Sequence, residues 1–346
     1  MSQKTPSQKK SALVVCPGRG TYNAAELGYF KTHHSDKSDF IEMIDDLRRD
    51  SGQVPISELD GADRFSPSLH GRGDNASLLI YACAISDFMS INKDLYDVIG
   101  VTGNSMGWYL ALAAGGALTH EDGAKLVNKM GGIMTEHGRG GQVVFSGVND
   151  EWQSDSLKRA AIERVLEHPD IYTSIHLGGM TILAAGEAGL KHALSTLPKD
   201  ARFPFQIRGH AAFHSPLLSQ CRSLAQDALN ADMFTTPTVP LIDGVGNVWS
   251  PHSTDIDALY DYTLGRQIDE TFNFSKAVEV GVKEFAPDVI IVLGPGTTLG
   301  APVAQTLIAQ NWQGLSSKSE FKARQESAPY VLSMGIEDQR KHVIGG

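Results

Sequence analysis

The sequence predicts an α/β protein built on a mainly parallel sheet, and three observations carry that prediction. Short apolar runs rich in β-branched residues recur at Ala12–Cys16, Val98–Thr102, Thr181–Ala185, Val239–Ile242 and Val289–Leu293. Longer stretches with apolar residues at helical spacing lie between them, as in Ala76–Met89 and Glu121–Met134. Such alternation is the pattern of strands joined by crossover helices. Finally, Val98–Thr102 runs straight into Gly103-Asn104-Ser105-Met106-Gly107 and then into the apolar pattern Trp108–Ala114, which reads as strand, tight turn and helix.

Taken in chain order, Met1–Lys10 is polar and lysine-rich and is followed only by the short run Ala12–Cys16. That run is too brief for a signal-peptide core or a membrane span. With 346 residues the chain can bury a large core and hold two domains, or one interrupted by another. A formal charge of −10 argues against an extended nucleic-acid surface. Cys16, Cys83 and Cys221 lie far apart with no CxxC pair, so neither a disulfide framework nor a cysteine metal site is expected. The expected setting is cytoplasmic, away from membranes.

His120-Glu121-Asp122 places acid in the first turn of the helix that follows, where the helix dipole favours it. The glycines of Arg139-Gly140-Gly141 suggest a phosphate loop, but no Lys-Ser/Thr pair follows, and the stretch reads as a connection. From there to about Pro204 the elements shorten to strand, helix, strand, helix, strand. This predicts a small inserted domain with a split β-α-β plan at 138–204. A large domain then comprises 11–137 and 205–312, and the polar, weakly patterned remainder, 313–346, reads as a C-terminal extension.

Chemistry enters at Ser105. A Gly-x-Ser-x-Gly turn between strand and helix lifts a serine hydroxyl clear of the backbone, and its glycines remove side chains that would strike the neighbouring elements. The hydroxyl then stands at the positive end of a helix, beside N–H groups free to hold an oxyanion. A serine needs a base near neutral pH. Of the twelve histidines, His214 lies about 110 residues further on, which suits a partner met only in the folded chain. His210 is a nearby rival, and Asp243 is the best carboxylate available to orient an imidazole.

With Ser105 placed, the chain from about Leu13 to Ala309 resembles the malonyl-CoA:acyl-carrier-protein transacylases and the related acyltransferase domains of fatty acid and polyketide synthases. Cys16-Pro17-Gly18-Arg19-Gly20 is similar to the family's Pro-Gly-Gln-Gly loop. Ser105–Gly131 follows its nucleophile helix without a gap, including Ala113-Ala114-Gly115-Gly116-Ala117-Leu118. Ala211-Ala212-Phe213-His214-Ser215-Pro216 resembles the His-Ala-Phe-His-Ser-Pro block, and Arg266-Gln267 and Gly294-Pro295-Gly296 match two further segments.

The resemblance implies an α/β-hydrolase-like large domain with a ferredoxin-like small one. It implies Ser105 as nucleophile, His214 as base, the backbone N–H groups of Met106 and Arg19 as oxyanion hole, and a main-chain carbonyl at Gln267 orienting the histidine. It also implies acyl-CoA and an acyl carrier protein as partners, and neither metal nor redox cofactor.

Three departures bear on the substrate. The malonyl enzymes carry an arginine on the helix after the nucleophile, which pairs with the free carboxylate in two-pronged fashion. Here Met130 stands in its place. A buried carboxylate without its partner costs about 3–5 kcal/mol, and Lys129 points about 100° away round the helix. Arg19 replaces the family's glutamine. Its side chain is expected to face solvent, and the alternative is a guanidinium turned inward to replace the missing clamp. Asn104 and Trp108 differ from the usual residues of the elbow; Asn104 keeps a hydrogen-bonding side chain and Trp108 is expected to pack.

Phe213 accompanies acyl groups without an α-branch in the family. The resulting expectation is an acyltransferase with an acyl pocket of Met130 and Phe213, favouring acetyl or another unbranched acyl over malonyl. The alternatives are a serine hydrolase, such as a thioesterase acting on acyl carrier protein or CoA, and a non-catalytic binding module.

Overall fold

The computed structural model describes residues 9–346; the polar N-terminal stretch considered above lies outside it up to residue 8. Eleven strands form two sheets among the described residues. The first comprises β1 (Lys10–Cys16), β2 (Tyr96–Gly103), β7 (Leu241–Ile242), β8 (Val248–Trp249), β10 (Val289–Val292) and β11 (Val331–Ser333), in the order β11-β10-β1-β2-β7-β8. Every pairing is parallel except β7 with β8. Residues Ala12–Cys16 of β1 are wholly buried, as a central strand covered on both faces requires.

The expected helices at 76–89 and 121–134 are present as Gly73–Met89 and His120–His137. The second begins on a Thr119 cap that accepts from the Asp122 N–H, so its acidic first turn and its cap act together.

The second sheet comprises β3 (Gly141–Ser146), β4 (Ile171–Leu177), β5 (Met180–Ala185), β6 (Phe205–Ile207) and β9 (Phe272–Asn273), in the order β6-β3-β5-β4-β9. Its first four strands, with helices Ser156–Leu166 and Glu187–Thr196, make the β-α-β-β-α-β arrangement of a ferredoxin-like unit. Sequence reading had one strand too few here. The missing strand is Ile171–Leu177, whose interrupted apolar pattern hides it.

Alternation gives this sheet two different faces. Val143, Phe145, Leu183 and Ala185 pack into a small core with Ile162, Val165 and Leu190. Val144, Ile175 and Ile182 face the other way, towards the large domain's core. The large domain also reaches back into the small sheet, since β9 pairs with β4 in parallel.

The segment 313–346 is part of the large domain's body. β11 extends the sheet beside β10, and helix Glu337–Ile344 is fastened from within. The wholly buried Asp87, near the end of helix Gly73–Met89, is the fastening point. It accepts from the Gly294 N–H at 2.7 Å and the Tyr29 hydroxyl at 2.9 Å. It also contacts His34 Nε2 at 2.8 Å and Arg340 Nη2 at 2.7 Å. Weak patterning concealed this because the anchor is one buried ion pair and not an apolar stripe.

Replacing Arg340 with methionine keeps volume but leaves the Asp87 carboxylate buried without its cation, which costs about 3–5 kcal/mol. A urea unfolding midpoint unchanged by Arg340→Met would contradict this role for the pair.

Candidate active site

The site is assembled where β1 and β2 end side by side. A β-carbon on Gly103 would stand 2.1 Å from the Gly107 carbonyl oxygen, and one on Gly107 would stand 2.5 Å from that of Cys16. Only glycine lets the turn close this tightly. The Asn104 N–H donates to the Cys16 carbonyl at 3.1 Å, joining the turn to β1. Ser105 is thereby held at φ 58°, in the left-handed region, a strained conformation of the kind retained at functional sites. Helix Gly107–Ala114 follows at once, and Trp108, wholly buried, packs and donates its indole N–H to Thr263 Oγ1 at 3.0 Å.

His214 meets this serine from a loop 109 residues away. Its Nε2 lies 2.7 Å from Ser105 Oγ, and its Nδ1 lies 2.7 Å from the Gln267 carbonyl. A carbonyl only accepts, so Nδ1 carries the proton and Nε2 presents its lone pair to the hydroxyl. The Gln267 carbonyl is free for this because it lies in the last turn of the helical segment ending at Asp269, where carbonyls lack intrahelical partners. The His214 N–H donates to the neighbouring Ile268 carbonyl, and the residue sits at φ 55°. Burial pushes the imidazole down to about 4, only partly opposed by the Gln267 hydrogen bond.

Asp243 is not the orienting group. Its carboxylate accepts from the N–H groups of Val245 and Asn247 and the Trp249 indole, holding the turn between β7 and β8.

Tyr109, Gln142 and Ser174, which sequence reading passed over, complete the frame. Gln267 Nε2 donates to the Ser105 carbonyl at 3.0 Å, and the Tyr109 hydroxyl donates to Gln267 Oε1 at 2.6 Å. One side chain thus fixes serine and helix while its own carbonyl fixes the histidine. On the opposite side, Gln142 Nε2 donates to Ser174 Oγ, and Ser174 Oγ donates to the Phe213 carbonyl at 2.7 Å. His210 Nδ1 donates to Gln142 Oε1 at 2.8 Å, so the rival histidine supports the loop from the small sheet. A buried glutamine at the head of the run Val143-Val144-Phe145 was the available signal.

Met106 and Arg19 each carry a backbone N–H that finds no acceptor among the described residues. Both residues line, with Ser105 and His214, a cavity of about 350 Å³. Its walls are otherwise largely apolar: Met130 and Phe213 stand on it, and Ile175, Leu177, Met180 and Ile182 from the small sheet face it. Arg19, Ser105, Met106, Met130, Phe213, His214 and Gln267, the residues to which the resemblance and its departures gave site roles, are therefore all brought to one cavity. The Arg19 side chain lies along the cavity wall, with its guanidinium carbon 5.3 Å from the Phe213 ring centre.

A strained serine, a buried neutral imidazole and two free N–H groups on this fold define the constellation of nucleophilic serine chemistry on acyl groups. Comparison with known proteins agrees with the resemblance read from the motifs. The chain is 25% identical over 310 residues to the malonyl CoA-acyl carrier protein transacylase of Haemophilus influenzae, covering 84% of this chain and 90% of that one. It is 27% identical over 206 residues to the polyketide biosynthesis malonyl CoA-acyl carrier protein transacylase PksC of Bacillus subtilis, covering 58% of this chain and 66% of that one.

The crystal structure of the acyl-carrier-protein S-malonyltransferase from Burkholderia pseudomallei superposes with a TM-score of 0.76 at 17% identity, covering 97% of this chain and all of that one. No protein-family model matches the chain. The two relatives and the crystal structure named above are nonetheless malonyl-CoA:acyl-carrier-protein transacylases or S-malonyltransferases by name, and the chain has the fold of that structure. Among the described residues no helix is long and apolar enough to cross a membrane.

Because the basic form of His214 is the neutral one, a lowered pKa extends its working range downward. Labelling of Ser105 by a fluorophosphonate probe in short pulses should hold level from neutral pH to about 5 and reach half its rate only near 4. A half-point near the ordinary imidazole value of about 6.5 would mean that His214 is not the buried base described.

Proposed function

We propose that this protein moves an acyl group from an acyl-CoA to the phosphopantetheine thiol of an acyl carrier protein through an acyl-serine. The observation that carries the reading is the 2.7 Å contact between Ser105 Oγ and a histidine whose other nitrogen is fixed on a carbonyl. The relatives supply the donor and acceptor, since each is by name a malonyl CoA-acyl carrier protein transacylase.

In the first half, Ser105 Oγ bonds to the thioester carbonyl carbon as His214 Nε2 takes its proton. The N–H groups of Met106 and Arg19 hold the oxyanion. The C–S bond then breaks, the proton passes from His214 to the sulfur, and CoA leaves. In the second half the carrier thiol gives its proton to His214 and attacks the acyl-serine. The C–O bond breaks, and Ser105 recovers its proton. No metal or redox cofactor enters this route.

The base suits the leaving group. An imidazole pushed down to about 4 has no carboxylate behind it and is a weak proton acceptor. A thioester is an activated ester whose thiol has a pKa of about 8.5, so its expulsion needs little proton donation. An amine leaving from an amide would need much more. Phe213, whose bulk closes the room for an α-methyl, fits the pocket to an unbranched chain.

Incubation with acyl-CoAs should add one acyl mass to Ser105, and Ser105→Ala should abolish the adduct. Without an acceptor thiol the acyl-enzyme should last on the order of minutes. Loss to water within seconds would instead mark a thioesterase, and no adduct with any thioester would sink the scheme.

A further inference from the structure

Arg19 brings a positive charge into this cavity, and no acidic group among the described residues forms an ion pair with it. Its guanidinium lies against the face of Phe213, 5.3 Å from the ring centre. Among the described residues its side chain makes no hydrogen bond, and the charge that acts on it is Asp74, which is itself paired with Arg72 at 2.9 Å. Burial lowers its pKa to about 10, so the group remains a cation at neutral pH. Five N–H donors in a largely apolar cavity, without an acceptor, are an unmet requirement.

The niche that holds this group is built by a residue with no side chain. Arg19 Nη1 lies 3.4 Å from the point a β-carbon would occupy on Gly73, and the Gly131 carbonyl lies 3.2 Å from the same point. The guanidinium therefore sits beside the backbone of the residue after Met130, although it arises from the loop after β1. At 3.4 Å the guanidinium is within van der Waals range of that point, and its carbon stands over the Phe213 ring.

We propose that Arg19 sets acyl specificity by holding a terminal carboxylate, so that the preferred donors are unbranched ω-carboxyacyl thioesters, of which malonyl is the shortest. The assignment rests on the acyl-transfer reading above. A guanidinium fork pairs with a carboxylate through two parallel hydrogen bonds. The carboxylate supplies the acceptors that the cavity lacks, and Phe213 positions the fork. The preference for a neutral acyl group, drawn from Met130, took the Arg19 side chain to face solvent. Its placement in the cavity reverses that preference, because the charge absent from position 130 is supplied from position 19.

The test compares malonyl-CoA with butyryl-CoA, which is of similar length and neutral, in wild-type protein, Arg19→Gln and Arg19→Gln/Met130→Arg. Glutamine keeps the backbone N–H and a polar side chain. Wild-type protein should acylate Ser105 faster from malonyl-CoA. Arg19→Gln should lower the ratio of the malonyl rate to the butyryl rate by about tenfold to a hundredfold. Adding Met130→Arg should recover malonyl transfer. Equal losses on both thioesters, or no loss on either, would overturn the assignment.

Binding of the same two CoA esters to Ser105→Ala separates this assignment from the acyl-transfer reading. A malonyl preference that vanishes on adding Arg19→Gln upholds Arg19 even if Ser105 forms no adduct. Equal binding of the two esters rejects Arg19 and leaves acyl transfer standing.

Discussion

The fold-back at residues 103–107 is the constraint on which the site depends. With 2.1 Å between a would-be β-carbon on Gly103 and the Gly107 carbonyl oxygen, no other residue fits there. The close turn forces Ser105 into its left-handed conformation, which aims the hydroxyl away from the sheet. It also starts the helix so abruptly that Met106 N–H is left without an acceptor. Strain and catalytic provision have one cause. The cost is spread over wholly buried neighbours: Ala12–Cys16 of β1 on one side, and Trp108 and Leu110 on the helix that follows.

Holding a histidine against that serine requires a second frame, and the protein builds it from backbone. His214 is fixed through Nδ1 to one carbonyl and through its own N–H to the next, both on the helical segment that ends at Asp269. The Gln267 side chain crosses to the Ser105 carbonyl. Serine and histidine are thus referenced to one residue, so their separation does not depend on two independently moving elements. The small sheet contributes from the far side, where the Gln142–Ser174 chain ends on the Phe213 carbonyl. An insertion that might have served only as a lid is hydrogen-bonded into the catalytic loop.

What the sequence made legible was whatever is encoded locally. Ser105, its glycines and the two long helices rest on contiguous patterns, and His214 and Gln267 rest on short motifs. Contacts without a local signature stayed hidden. Asp87 and Arg340 are far apart in the chain, and neither residue differs in pattern from an ordinary surface charge. β9 is two residues long and joins a sheet whose other strands end some 65 residues earlier. The Arg19 side chain runs past Gly73 and over the Phe213 ring, residues far from it in sequence, so only the folded chain reveals its course.

One physical cause, burial at the cavity, acts differently on three of the four basic groups that line it, His214, His210 and Arg19; the fourth, Arg202, lies over the Phe203 and Phe205 rings. Burial lowers His214 to about 4 and His210 to about 3, so both are neutral at physiological pH. It lowers Arg19 only to about 10, which leaves it charged. The same environment that strips the imidazoles of charge therefore leaves Arg19 a cation, and the field of that cation helps hold His210 neutral. In a medium of low effective dielectric an unscreened charge acts strongly over a few ångströms. In the proposed reaction a thioester would meet the Arg19 charge at its acyl end and the neutral N–H donors of Met106 and Arg19 at its carbonyl. The first can discriminate among acyl groups, while the second serve every acyl group alike.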